Sequence, residues 1–152
     1  GTINSKTYEI EIKKIHPHLS LTTEACPMWV ALVENREYDK PGADYFVKQH
    51  LANILSKDRD IDAIILGCTH YPLLLNKIKE YTPNHITLIS QGEHVAKSLK
   101  NYLERHTEME LMCSKYGKRQ YCTTDSAEKF KAVASFFLNE AIDVETVNIE
   151  MN

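Results

Sequence analysis

The strongest constraint on the fold is an alternation of apolar periods along nearly the whole chain. Stretches with apolar residues three and four apart alternate with short extended runs, which is the sequence form of repeated βα units around a mainly parallel sheet. Ala63 to Leu66, four aliphatic residues in a row, reads as a buried strand apolar on both faces and central in its sheet. The class expected is α/β, a three-layer αβα arrangement.

The same periods assign the remaining elements. Tyr8, Ile12 and Ile15 lie at i, i+4, i+7 on a first helix that Pro17 ends. Leu19 to Ala25 and Met28 to Val33 read as extended runs broken by Pro27. Val47, Leu51, Ile54 and Leu55 mark a helix. After Ala63 to Leu66, Pro72 sits in the first turn of a helix whose buried stripe is Leu74, Ile78 and Tyr81. Ile86 to Ile89 is a second strand, and Val95, Leu99, Tyr102 and Leu103 line the next helix. Arg105 to Arg119 reads as a surface connection with at most a weak strand around Leu111. Gln120 to Thr124 is a strand, Phe130, Val133, Ala134 and Phe137 a helical face, and Val144 to Ile149 a closing strand. The pattern opens on a helix with no strand before it, as if the alternation were entered midway.

The 152 residues suit one domain or two small lobes, and 43% hydrophobic with 26% charged residues excludes disorder. No apolar stretch approaches the roughly 20 residues of a membrane span, and nothing in residues 1–14 has the form of a signal peptide, so a cytoplasmic protein is expected. A formal net charge of -3 without a basic stripe argues against nucleic acid and for a small molecule or protein partner. Cys26, Cys68, Cys113 and Cys122 are too sparse for a disulfide scaffold and read as thiols in a reducing compartment. Cys68 and His70 are too close in sequence, and Cys113 and Cys122 too far apart, for a usual zinc site, so no metal is expected. His16, His18, His50, His85, His94 and His106 read as solvated.

Residues 61–72, IDAIILGCTHYP, carry the chemistry. A strand runs into Gly67 and then Cys68-Thr69-His70 before a proline-opened helix. In open α/β sheets, ligands bind beyond the carboxyl ends of the strands. Gly67 permits a sharp turn and close approach of a ligand to the backbone. Amides after Cys68, near a helix N-terminus, suit a carboxylate and favour thiolate over thiol. His70 is placed to accept the proton of Cys68 or stabilise its thiolate. A cysteine ending a buried strand is equally a small core hydrophobe, and the residues alone leave both readings open. Glu34, closing ACPMWVALVE, is expected at a strand end near Cys68, where it would orient His70; an exposed terminal carboxylate is the alternative.

GCTHYP with its preceding aliphatic strand resembles the second catalytic-cysteine signature of glutamate racemases. ACPMWVALVE is similar to the family segment in which ACP runs into LVE. Gly1-Thr2-Ile3 with Ser5 and Tyr8 resembles its threonine-containing segment, and YCTTD with Phe130 its closing strand and helix. The likeness spans the chain; Ser90 departs from it, standing where many members carry Asp.

The resemblance implies a cofactor-independent racemase supplying D-glutamate for peptidoglycan, in which one cysteine removes the α-proton and a second returns one to the opposite face. By this likeness Cys68 is one of the pair, Thr69 and His70 bind or position substrate, Glu34 assists His70, and Thr2 is a further substrate-binding candidate. The family's other cysteine lies beside an Asn-Thr motif, with an acidic residue in an Asp-Ser segment upstream; neither segment occurs here, and Cys26, Cys113 and Cys122 have no such context. The chain thus resembles roughly the C-terminal half of a racemase and is expected to be inactive alone. The family's two-lobe fold implies that residues 1–88 form most of the second lobe and residues 89–152 the returning part of the first, leaving apolar surface to be covered. A homodimer is expected of the intact protein. Alternatives are an aspartate or other amino-acid racemase, a Cys-His hydrolase or amidotransferase, and a non-catalytic binding module; His70 after Cys68-Thr69 favours glutamate by family analogy.

Overall fold

The computed structural model describes residues 3–149. They fall into two compact units that divide between Leu99 and Lys100, inside a helix.

The first unit opens with α1 (Thr7–Ile15), α2 (Pro27–Glu34) and α3 (Pro41–Lys57). Strand β1 (Ala63–Leu66) comes next, then a 3-10 turn (Tyr71–Leu74), α4 (Leu75–Tyr81), β2 (Thr87–Ser90) and α5 (Gln91–Arg105), whose last turns belong to the second unit. β1 and β2 pair in parallel, Ala63 opposite Thr87 through Leu66 opposite Ser90. A parallel pair needs a crossover, and the 3-10 turn with α4 supplies it.

The core of this unit is helical. Trp29 and Val33 of α2, Ala43, Val47 and Leu51 of α3, and Leu74 and Ile78 are buried together with Leu66 and Ile86. Trp29 and Val33, like Leu74 and Ile78, have i, i+4 spacing, and the three in α3 keep the same step, so each helix turns one stripe inward. The fully buried Val33, Val47, Leu74 and Ile78 each contribute about 1.5–3 kcal/mol by leaving water.

Three expectations change here. Met28 to Val33 is not extended: Pro27 begins α2 at its first turn, where a missing N–H costs nothing, instead of breaking two strands. A short run apolar on nearly every position has no period with which to distinguish strand from helix. Leu19 to Ala25 forms no strand either. Glu24 holds this segment to α3 by accepting hydrogen bonds from Lys57 Nζ at 2.6 Å and Asn53 Nδ2 at 3.2 Å, and by pairing with His50 Nδ1 at 2.9 Å. Lys57 also donates to the carbonyl of Thr23 at 2.9 Å. His50 is therefore a partnered, half-buried residue and not a solvated one. Burial alone would raise the Glu24 carboxyl; the donors Lys57, His50 and Asn53 outweigh it and bring it down to about 2.

β1 is also less enclosed than its composition suggests. Leu66 is buried, but Ala63 and Ile65 are exposed, because β2 is the strand paired with it among the described residues.

In the second unit, α6 (Thr107–Met112) occupies the region expected to hold a weak strand, and Leu111 on it is exposed. A Glu-rich first turn with no β-branched residue after Thr107 suits a helix start. β3 (Tyr121–Thr123) and β4 (Val144–Thr146) pair in parallel through α7 (Ala127–Leu138). Ser126 caps α7, its hydroxyl accepting from the Lys129 amide at 3.3 Å, and Asn139 ends it in a left-handed conformation. β4 is shorter than the expected Val144 to Ile149. The apolar stripe expected on α5 is present but uncovered: Val95, Leu99 and Tyr102 are exposed, as are Phe130, Val133 and Phe136 of α7.

Candidate active site

β1 ends at buried Leu66, and the chain turns through Gly67 into half-buried Cys68, exposed Thr69 and half-buried His70. The turn is closed by the Tyr71 amide donating to the Cys68 carbonyl at 3.2 Å and the Leu73 amide to the His70 carbonyl at 3.1 Å. The 3-10 turn then carries Pro72 in its first turn, and α4 begins only at Leu75. The expected helix N-terminus directly after Cys68 is thus displaced by one turn. Proline at its start and an i to i+3 pattern produce the tighter geometry.

Within this turn His70 faces two groups. Its Nδ1 lies 3.7 Å from Cys68 Sγ, and its Nε2 lies 3.4 Å from Oε1 of Glu34. Glu34 arrives at the C-terminus of α2 and not at a strand end, and its side chain is 61% exposed. A carboxylate at Nε2 favours the tautomer with hydrogen on that nitrogen, which leaves the Nδ1 lone pair toward the thiol. The arrangement can carry a proton between sulfur and imidazole.

Tyr71 joins the turn to α2. Its hydroxyl donates to the Cys26 carbonyl at 3.4 Å, and its ring meets Trp29 edge-on with centroids 4.9 Å apart. Trp29 donates in turn from Nε1 to the Phe46 carbonyl at 3.2 Å. The helix bearing Glu34 and the turn bearing His70 therefore share one anchor. Burial raises the Tyr71 hydroxyl, with the Cys26 and Cys68 sulfurs adding to it. Burial likewise pushes the Cys26 thiol up to about 12, with Glu24 nearby reinforcing the effect. Cys26 is buried and neutral, as a packed thiol.

Tyr8 is a neighbour that spacing did not reveal as part of the site. Its ring lies over Gly67, and Gln91 Nε2 donates to its hydroxyl. The space above Gly67, expected to admit a ligand, is filled by this ring. No local signal could find the pairing, since the two side chains are 83 positions apart in sequence. Ser90, opposite Leu66 in the sheet, stands at the same strand end as Gly67. Thr2 lies outside the described residues. Among the described residues no three His, Cys, Asp or Glu side chains converge to hold a metal, and no helix is long and apolar enough to cross a membrane.

No family model matches the chain. Glutamate racemase 2 of Caldanaerobacter subterraneus subsp. tengcongensis is 35% identical over 150 residues, covering 98% of this chain and 55% of that protein. The crystal structure of glutamate racemase isoform RacE1 from Bacillus anthracis superposes with a TM-score of 0.85 at 33% identity, over 99% of this chain and 55% of that one. This chain is homologous to the C-terminal portion of glutamate racemases. Its helices and parallel strands are consistent with a partial αβα fold like that of these racemases. Glutamate racemase from Francisella tularensis, solved in complex with D-glutamate, matches with a TM-score of 0.81 at 28% identity, over 97% of this chain and 54% of that one. The chain spans about half the length of the glutamate racemases it matches.

Proposed function

We propose that this chain supplies one half of a glutamate racemase site, with Cys68 as one of two acid/base thiols. The observation that carries this reading is the line Cys68–His70–Glu34 at the carboxyl end of β1, with Sγ to Nδ1 at 3.7 Å and Nε2 to Oε1 at 3.4 Å. The names of the relatives and the D-glutamate complex of one of them support glutamate as substrate.

Inverting Cα requires a base on one face and an acid on the other. The Cys68 thiolate takes the α-hydrogen as a proton, leaving the bonding pair on Cα, and a second thiol delivers a proton to the opposite face. In the reverse direction the roles exchange. His70 holds or returns the Cys68 proton, Glu34 orients His70, and Thr69, exposed beside them, binds the substrate. Thr2 belongs to the same reading as a substrate ligand. The chemistry calls for no cofactor, so fixed dipoles must stabilise the carbanion.

The second thiol is not available among these residues. The four cysteines include no Cys-Asn-Thr segment, and Cys26 is buried and neutral. These 152 residues alone are therefore expected not to racemise glutamate. In the intact enzyme, residues 1–88 would belong to one lobe and residues 89–152 to the other. A cytoplasmic homodimer completes the reading, and sedimentation of the intact enzyme checks its assembly.

The test joins this chain behind the N-terminal portion of the Caldanaerobacter relative. The expected fusion interconverts L- and D-glutamate with uptake of deuterium at Cα from heavy water, and Cys68→Ser abolishes or severely reduces the interconversion. Full activity with Cys68→Ser, or turnover by the 152-residue chain alone, overturns the two-thiol reading.

A further inference from the structure

We propose that Tyr8 and Gln91 form a positioning pair for Cys68, holding the turn that sets the sulfur against His70. The inference rests on the reading of Cys68 as a reacting thiol. It starts from Gly67, whose φ is not left-handed, so the absence of a side chain serves closeness and not a special backbone angle. A Cβ at Gly67 would lie 3.2 Å from the Tyr8 hydroxyl oxygen and 3.4 Å from Cζ. The ring thus packs directly on the backbone unit preceding Cys68.

Tyr8 comes from α1, a helix with no buried side chain, and is itself half-buried. Its hydroxyl is engaged by Gln91, the first residue of α5 immediately after β2. One phenol therefore bridges the ends of β1 and β2, which are neighbours in register at Leu66 and Ser90. The other end of the same turn is held by Tyr71 on Cys26 and Trp29. With both ends held, Gly67 to Tyr71 is braced as one segment. Freed on the Tyr8 side, the turn loses the support that fixes Sγ 3.7 Å from Nδ1.

A positioning residue shows itself in coupling, and a double-mutant cycle isolates it. Alkylation of Cys68 in the 152-residue chain by iodoacetamide is followed from pH 6 to 9 by peptide-resolved mass spectrometry, with and without His70→Gln. In the parent chain His70→Gln changes the Cys68 rate at pH 7 by about threefold or more, because the imidazole 3.7 Å from the sulfur is removed. In Tyr8→Ala that factor falls to near one. Tyr8→Phe and Gln91→Leu each weaken it, and the double variant restores most of it, because an apolar pair leaves no orphaned polar group. Gly67→Ala, whose Cβ presses on the ring and makes it give by a few tenths of an ångström, weakens the factor in the same direction, and Gly67→Leu, too large for the ring to accommodate in place, repeats the loss should Tyr8→Ala fail to fold. A full His70 factor retained in Tyr8→Ala or Gly67→Leu, with native circular dichroism, overturns the positioning role. Absence of any His70 effect in the parent chain instead overturns the Cys68–His70 coupling and the site reading with it.

Discussion

Nε2 of His70 lies 3.4 Å from Oε1 of Glu34, so the ring nitrogen facing away from Cys68 is occupied by a carboxylate from a different helix. The imidazole is oriented from behind while its Nδ1 faces the sulfur. Because Glu34 is largely exposed, water competes with this contact, and its influence is that of an orienting group and not of a strong ion pair.

In a fusion active for glutamate, His70→Gln therefore costs far more than Glu34→Gln. Loss of general acid/base assistance lowers kcat by about 10²–10⁴-fold for the histidine. The carboxylate variant stays within about tenfold, the scale of a solvent-exposed pair. Steady-state kinetics in both directions check the order; a Glu34→Gln enzyme as impaired as His70→Gln contradicts it.

The four thiols should separate by burial. Cys113 and Cys122 are exposed, Cys68 is half-buried and Cys26 is buried. With iodoacetamide at pH 8, Cys26 stays unmodified until urea unfolds the chain, while Cys113 and Cys122 react first. Burial holds Cys26 neutral up to about 12 in the folded chain, whereas an unfolded thiol ionises near about 8.5. The unfolded state then binds fewer protons, so this residue's contribution to stability declines as pH rises from about 9 toward 12. Modification of Cys26 as fast as Cys113 would sink the assignment.

Glu24 predicts the acid limb. Its folded carboxyl sits at about 2, below the ordinary 4.5, so the folded state favours the charged form. The stability it contributes is present above about pH 4.5 and is lost as pH falls through about 2, below which both states are protonated. Glu24→Gln is expected to lower stability at pH 7 on the order of 2 kcal/mol and to make little difference near pH 2. Urea unfolding at the two pH values measures this. Equal losses at both would place the effect in packing and not in charge.

Tyr71→Phe keeps the ring against Trp29 and removes one hydrogen bond to the Cys26 carbonyl. Its cost is about 1 kcal/mol. Trp29→Ala empties a buried site beside His50 and Tyr71 and costs about 3–5 kcal/mol. Urea denaturation distinguishes them, and a Tyr71→Phe loss as large as that of Trp29→Ala would assign the hydroxyl a structural role beyond this bond.

Much of the architecture could be read along the chain. Ala63 to Leu66, the helix around Val47 and Leu51, and the strand–turn–proline order of residues 61–72 are local patterns, decided by neighbours a few positions apart. α2 was not legible in this way. Its apolar run fits either period, and only burial of Trp29 and Val33 on one face, with Pro27 at the start, makes it a helix. Amphipathic spacing alone did not give the exposure of the α5 and α7 stripes, since it states which face is apolar and not whether anything covers it; the likeness to a two-lobe family implied it.

By itself the sequence determined the α/β class, the position of Cys68-Thr69-His70 beyond a strand and the likeness to glutamate racemases, because each rests on residue type at short spacing. Tertiary structure alone decided that Glu34 reaches His70 from a helix end, that Glu24 pins the segment before α2 to α3, and that Tyr8 lies on Gly67 and meets Gln91. Those contacts join residues 26 to 83 positions apart, and packing of whole elements, which no local period encodes, selects them.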